Sequence, residues 1–338
     1  MVLRRFILHV AVLSVGVAGG CQDYLADAAI EHYVQGKLAM DGRRYRAALA
    51  ELAEAVELDP DLSLAHAAIG DIHRKRGNYR LAVGAYERAC DTNPYAFRPH
   101  YNLGVTYQRL GDQAETAKAI EDYLRKAVQV YLRAVSLRPR DFDTNVNLSS
   151  CYYEQGKYDL AEKYSKACTQ IDPKNPYGFS NLAIVFDALN RPYDAIRAYK
   201  QSLELDVHQP KLLMNLGSTY LRLGRMKEAL HASELAAKED PNSPYPWVQV
   251  GACHFRMKDL SQALTTYQKA ADIDGNCAGA FRGMGVVFMT RFVMDPKKLD
   301  CRDKGLSAWN RSLELDSKQP DLVRLVRKYT PKTAPPRL

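Results

Sequence analysis

The chain has no glycine-rich phosphate loop, no nucleophile elbow and no paired-carboxylate motif. Nucleotide chemistry and acyl transfer therefore lack their usual machinery. Seven cysteines are present, yet no two are spaced Cys-x2-Cys, so structural zinc and thioredoxin-like redox chemistry have no ligand frame. The apolar run near the start, Phe6 to Val17, is too short to cross a bilayer as a helix. Charge is not concentrated in runs either. There are 47 basic and 39 acidic residues, net +8, and setting Arg4 and Arg5 aside leaves 45 against 39, net +6. That excess is small for the length and reads as a solvated mixed-charge surface, which argues against nucleic-acid binding. The eight histidines form no site. His32, His66 and His100 occupy one position in three successive repeats, about 10 Å apart by helix packing, too far for one metal; they read as core or half-buried packing residues. No cofactor is expected, and the chain reads as non-enzymatic.

What is present is a period. Stretches of the Leu-Asp-Pro kind end at Pro60, Pro94, Pro139, Pro173, Val207, Pro241, Gly275 and Ser317; five of the seven intervals are 34 residues and the others are 45 and 42. A period of this length implies stacked supersecondary units, each too small to bury its own apolar face. The sixth unit shows the plan. Leu213, Leu216, Gly217 and Tyr220 lie on one helix face, Gly224 turns the chain, and Ala229, Ser233 and Ala236 carry a second helix to Pro241. Small residues stand where two helices must approach closely. Cys151, Cys168 and Cys253 fall at such positions and read as small hydrophobes.

The pattern resembles the tetratricopeptide-repeat family, whose signature runs Trp-x2-Leu-Gly-x2-Tyr, then Ala-x3-Phe, then Pro. The seventh unit has Trp247, Val250, Gly251, His254, Ala263, Tyr267 and Ala270; the second has His66, Ile69, Gly70, Gly77, Tyr79, Ala82, Tyr86, Ala89 and Pro94. The likeness covers residues 29–319. Gln35 beside Gly36, Ala183 in place of the glycine, and Ser317 in place of the last proline depart from it. The resemblance implies an all-α, right-handed solenoid of about eight helix pairs. Residues 320–330 read as a capping helix and 331–338 as a disordered tail. The 11 extra residues of the third unit predict one long helix from Ala114 to Ser136, extended by about three turns. The eight extra residues of the last unit, around Phe292 to Asp303, predict a surface loop.

Residues 1–20 read as an export signal: Arg4 and Arg5, an apolar core, then Ala18-Gly19-Gly20 before Cys21. That ending resembles a bacterial lipobox, which implies a lipidated Cys21, a short linker over 21–28 and a membrane anchor facing the periplasm. An ordinary signal cut after Gly20 also fits. Gln22, where inner-membrane lipoproteins of enteric type carry aspartate, points to the outer membrane.

In the family the inner groove is lined by first-helix residues, among which asparagine clamps a bound peptide. Here Asn102, Asn147, Asn181 and Asn215 recur at one position, with Gln249 in the next unit. An amide both donates and accepts, so this ladder suits an extended backbone; it equally suits packing or solvation of the groove. Seven residues on stand Arg109, Arg222 and Arg256, with Lys75 equivalent in the second unit, interrupted by Glu154 and Ala188. These resemble a carboxylate clamp or are solvated turn residues. Tyr101, Tyr153, Tyr177, Tyr245 and Phe255 add aromatic area. The expected groove centres on units three to six. The expected partner is a protein or extended peptide, bound by a membrane-anchored scaffold of the bacterial envelope. The alternative is a structural accessory lipoprotein of an envelope machine, such as a pilus or secretion system.

Overall fold

The computed structural model describes residues 25–331. Among them there are 17 helices and no strand, as the repeat pattern requires. The signal segment, Cys21 and residues 332–338 lie outside the described residues. Two compact bodies meet in sequence between Ile171 and Asp172. The first holds α1 (25–41), α2 (Tyr45–Leu58), α3 (Ser63–Lys75), α4 (Tyr79–Thr92), α5 (Phe97–Asp112), α6 (Ala117–Leu137), α7 (Phe142–Glu154) and α8 (Tyr158–Ile171). The second holds α9 (Pro176–Ala188), α10 (Pro192–Leu205), α11 (Pro210–Arg222), α12 (Met226–Glu239), α13 (Pro244–Arg256), α14 (Leu260–Ile273), α15 (Ala278–Met294), α16 (Leu299–Leu315) and α17 (Pro320–Tyr329). Each body is four consecutive helix hairpins, and the second ends on α17.

A size exchange holds each hairpin together. The small residue midway along the first helix faces a side chain on the second. A methyl group at Gly70 would stand 2.7 Å from Tyr86, at Gly104 2.5 Å from Tyr131, at Gly251 2.8 Å from Tyr267, and at Gly285 2.1 Å from Trp309. No real side chain tolerates such distances, so the ring needs the missing Cβ. Where the first helix has Ser149 instead, the second has Ser165, and the hydroxyls bond at 2.7 Å. The tyrosines are also tethered by their hydroxyls. Tyr86 donates to Asp71 (2.5 Å), Tyr131 to Gln108 (2.6 Å) and Tyr199 to Asp187 (2.9 Å). A buried phenol left without an acceptor would be costly. Cys151, Cys168 and Cys253 are fully buried at small-residue positions. His100 is buried with Nδ1 2.8 Å from the Ala96 carbonyl, while His66 and His32 are partly exposed and bond Pro60 and Glu51.

The two long repeats differ from the sequence-based expectations, and the cause is local. In six repeats a residue with positive φ stops the first helix: Arg43, Gly77, Gly156, Asn190, Gly224 and Lys258. A left-handed residue ends a helix by turning its backbone out of register. The corresponding positions of the third and eighth repeats, Gly111 and Phe292, are helical, so both hairpins run on. The third repeat does not place its insertion in one helix from Ala114. α5 has 16 residues and α6 has 21, starting at Ala117 behind Thr116, whose hydroxyl accepts from the Ala119 amide. Against the 13 and 14 residues of α3 and α4, the insertion is shared, and α6 gains about two turns rather than three. The eighth repeat does not form a long surface loop either. α15 and α16 have 17 residues each, and only 295–298 are non-helical. Pro296 sits in that short turn, where proline is tolerated.

Candidate functional site

In the first body α6 outruns its neighbour. The extra seven residues lift its first turns about 10 Å past the ordinary hairpin end. Three cavities flank this step. One of about 580 Å3 opens between α5, the start of α6 and α7. A second of about 400 Å3 continues across Ile120 and Leu124 to the α7–α8 turn. A third of about 690 Å3 lies on the opposite flank, against the α3–α4 turn.

The first cavity gathers three residues singled out in the sequence, Tyr101, Arg109 and Asn147, and adds Gln108, Asp112, Ile120 and Glu154. Its floor is apolar and aromatic. Tyr101 stacks on Phe97 at 5.9 Å and leans on Tyr131 at 6.1 Å. Burial, then the Asp143 carboxylate, pushes the Tyr101 phenol up, and a hydrogen bond from Asn147 opposes the rise. Burial pushes the phenol of Tyr131, which donates to Gln108 at 2.6 Å, up strongly. At the rim, Arg109 is 3.6 Å from Asp112, both well exposed, so that pair is weak and exchangeable. Burial, and then Asp112, raise the Glu154 carboxyl. The cavity thus offers an arginine open to a carboxylate, an acid that gains from a neighbouring cation or proton, and two amides above an apolar floor. That combination suits a protein segment with polar and apolar side chains.

The other amides of the ladder are disposed differently. Asn102 donates to Asp71 of the preceding repeat (3.0 Å) and Gln249 to Ser218 (2.7 Å). In both, the preceding repeat has a polar residue, Asp71 or Ser218, just after its small position, and the amide bridges the two repeats. Val105 and Ile184 fill that place before Asn147 and Asn215. Asn147 is half-buried and lines the step cavity, and Asn215 is exposed. Asn181 is half-buried on α9 in the second body. The basic series splits in the same way. Arg222 pairs with Asp187 at 2.5 Å, a carboxylate that also accepts from Thr219 and Tyr199, and Arg256 donates to the Leu221 carbonyl at 3.3 Å. Lys75 is exposed at the end of α3. Tyr153 packs on Tyr158 at 5.5 Å, Tyr177 and Tyr245 are largely exposed, and Phe255 packs against the cluster of Ala263, Tyr267 and Val287. Cys21 lies outside the described residues. Asp112, Ile120 and Leu124 were missed by sequence reasoning; their signal was the insertion beside them. Among the described residues no three histidine, cysteine or acidic side chains group as metal ligands, and no helix is long and apolar enough to cross a membrane.

Known proteins resemble this arrangement. A family model described as the Cilia and flagella-associated protein 70 C-terminal domain matches residues 45–280. The BBSome complex member bbs-4 of Caenorhabditis elegans is 24% identical over 155 residues, 46% of this chain and 31% of that protein. The chain spans about a third of the length of the curated relatives it first matches. Among solved structures, the APC/C hetero-tetramer Cut9-Hcn1 aligns over 84% of this chain and 52% of its own, with TM-score 0.56 and 14% identity. A structure from the functional characterization of Pseudomonas aeruginosa pilF covers 64% and 94%, with TM-score 0.52 and 19% identity. At such identities the likeness concerns the fold.

Proposed function

Since the chain belongs to the tetratricopeptide-repeat family of the Cilia and flagella-associated protein 70 C-terminal domain, we propose that it is a non-catalytic scaffold that binds a protein or extended peptide. The observation that carries this reading is the step at α5/α6. An insertion there builds a cavity of about 580 Å3 and gathers Tyr101, Arg109 and Asn147 in it. Cys21 anchors the scaffold by lipid in the bacterial envelope, facing the periplasm, on the outer membrane in preference to the inner. The support is the lipobox-like Ala18-Gly19-Gly20-Cys21 and the following Gln22; several acyl chains hold a soluble domain stably at a bilayer. Cys21→Ala then releases the protein into the soluble exported fraction, and a variant that stays membrane-bound, with a parent lacking acyl mass, removes the anchor from the account. For binding, the test is capture from solubilised membranes. Arg109→Ala combined with Asn147→Ala lowers partner recovery about tenfold or more, since a charge-assisted and a neutral hydrogen bond are lost, with the helical signal unchanged. Equal recovery by the double variant rules out the step as the site.

A second reading has its own observation. Asn102–Asp71, Gln249–Ser218, Arg222–Asp187 and Arg256–Leu221 all link successive repeats, as a stiff structural bracket of an envelope machine would need. Cross-linking to one stoichiometric neighbour favours the bracket, whereas exchangeable peptides favour the receptor.

A further inference from the structure

The second long hairpin ends in apolar side chains that no part of the second body covers. Val293 is 58% exposed, Met294 71% and Leu299 51%. They bracket the short turn Asp295–Lys298, two before it and one after. α15 is four residues longer than α13, which carries this tip about 6 Å past an ordinary hairpin end. The tip is held firmly from below: Phe292 packs edge-on against Tyr329 at 6.4 Å, and Arg291 donates to the Leu260 carbonyl at 3.3 Å. Water-facing apolar side chains at a rigid protruding end lose free energy unless something covers them.

We propose that this tip is a contact site for a membrane surface containing anionic phospholipid. Over 291–304 there are five cations and three carboxylates, net +2. Lys297 has no ion pair among the described residues, while Lys298 and Lys304 pair with Asp295 and Asp300 at 3.7 and 3.6 Å on exposed surface. Exposed pairs of that kind are worth little, so these lysines can turn to lipid phosphates while Val293, Met294 and Leu299 enter the headgroup–acyl boundary. A protein partner is the poorer fit. A stable protein interface needs about 800 Å2 on each side, and three side chains at a hairpin tip supply only part of that. A bilayer requires no matching concavity. This contact is separate from the peptide-binding step on α5/α6 and does not depend on it.

The test uses the full chain with Met294→Cys carrying an environment-sensitive fluorophore, and the parent labelled identically as the blank. The probe is vesicles of phosphatidylcholine with or without phosphatidylglycerol, doped with a spin-labelled lipid quencher. Because quenching is read at the label, binding through the Phe6 to Val17 run alone gives no positive result. The expected result is a blue shift and quenching in the anionic vesicles only. Lys297→Gln with Lys298→Gln should weaken it about tenfold or more, since each lysine near an anionic surface contributes roughly fivefold. The same label at Glu115, on the other long hairpin, should stay unquenched. No quenching at position 294 in anionic vesicles overturns the proposal. So does equal quenching in both lipids, or a shift that appears only when a protein partner is added.

Discussion

The two long hairpins, α5/α6 in the first body and α15/α16 in the second, have like bases and unlike ends. At each base a glycine receives a large ring from the facing helix, Tyr131 over Gly104 and Trp309 against Gly285. At each end the left-handed residue that stops the other first helices is absent, so the helices continue. Beyond that point they diverge. The first ends in Asp112, Gln113, Glu115 and Thr116, all exposed and polar, with cavities at its flanks. The second ends in Val293, Met294 and Leu299. The fold is thus kept at the bases, while the ends differ in the side chains they present to solvent.

The largest effects should fall at the bases, and equally. Tyr131→Ala and Trp309→Ala should each destabilise by about 3–5 kcal/mol, the range for removing a buried ring, measured by urea unfolding. If only one does so, the likeness of the bases fails. Filling the holes is the next test. Gly104→Ala and Gly285→Ala should each cost about 1–3 kcal/mol through overpacking, despite alanine's better helix propensity. At Gly84, on α4, an added methyl group would meet no atom within 4 Å, so Gly84→Ala should stabilise by about 1 kcal/mol. A gain at Gly104 or Gly285 as well would mean the rings move aside freely.

The smallest stability effect belongs to the first hairpin's cavity. Glu154 has its carboxyl raised by burial and then by Asp112. The folded protein therefore holds that proton to higher pH than the unfolded chain, and the charged form opposes folding once pH rises through the raised value. Glu154→Gln should be slightly more stable than the parent at neutral pH, by less than either base effect. The difference should disappear as pH falls below the ordinary carboxylate range. A gain that does not change with pH would show that the charge is not its source.

Much of this was legible in the sequence. The period, the helix pairs and small positions such as Gly70, Gly217 and Gly251 follow from spacing, because close helix packing imposes them. How an insertion divides between two helices and a turn was not legible. It depends on whether Gly111 and Phe292 adopt a helical or a left-handed backbone, and glycine permits both. The asparagine ladder was legible as a column but not in its use. The partners of the two bridging amides, Asp71 and Ser218, stand in a second column that must be read one repeat earlier. The cavity beside α6 depends on which helix receives the extra turns, so only its neighbourhood could be named in advance.

Site-specific photo-crosslinking in cells tests the central claim most directly. Ile120 lines the step and Leu132 lies further along the same helix; both are 38% exposed. A photoreactive side chain at position 120 should capture a discrete protein partner, with the yield reduced by Arg109→Ala and Asn147→Ala, while the same group at 132 captures none. Capture that is equal at the two positions, or absent at 120, would contradict the assignment of the α5/α6 step as the binding site.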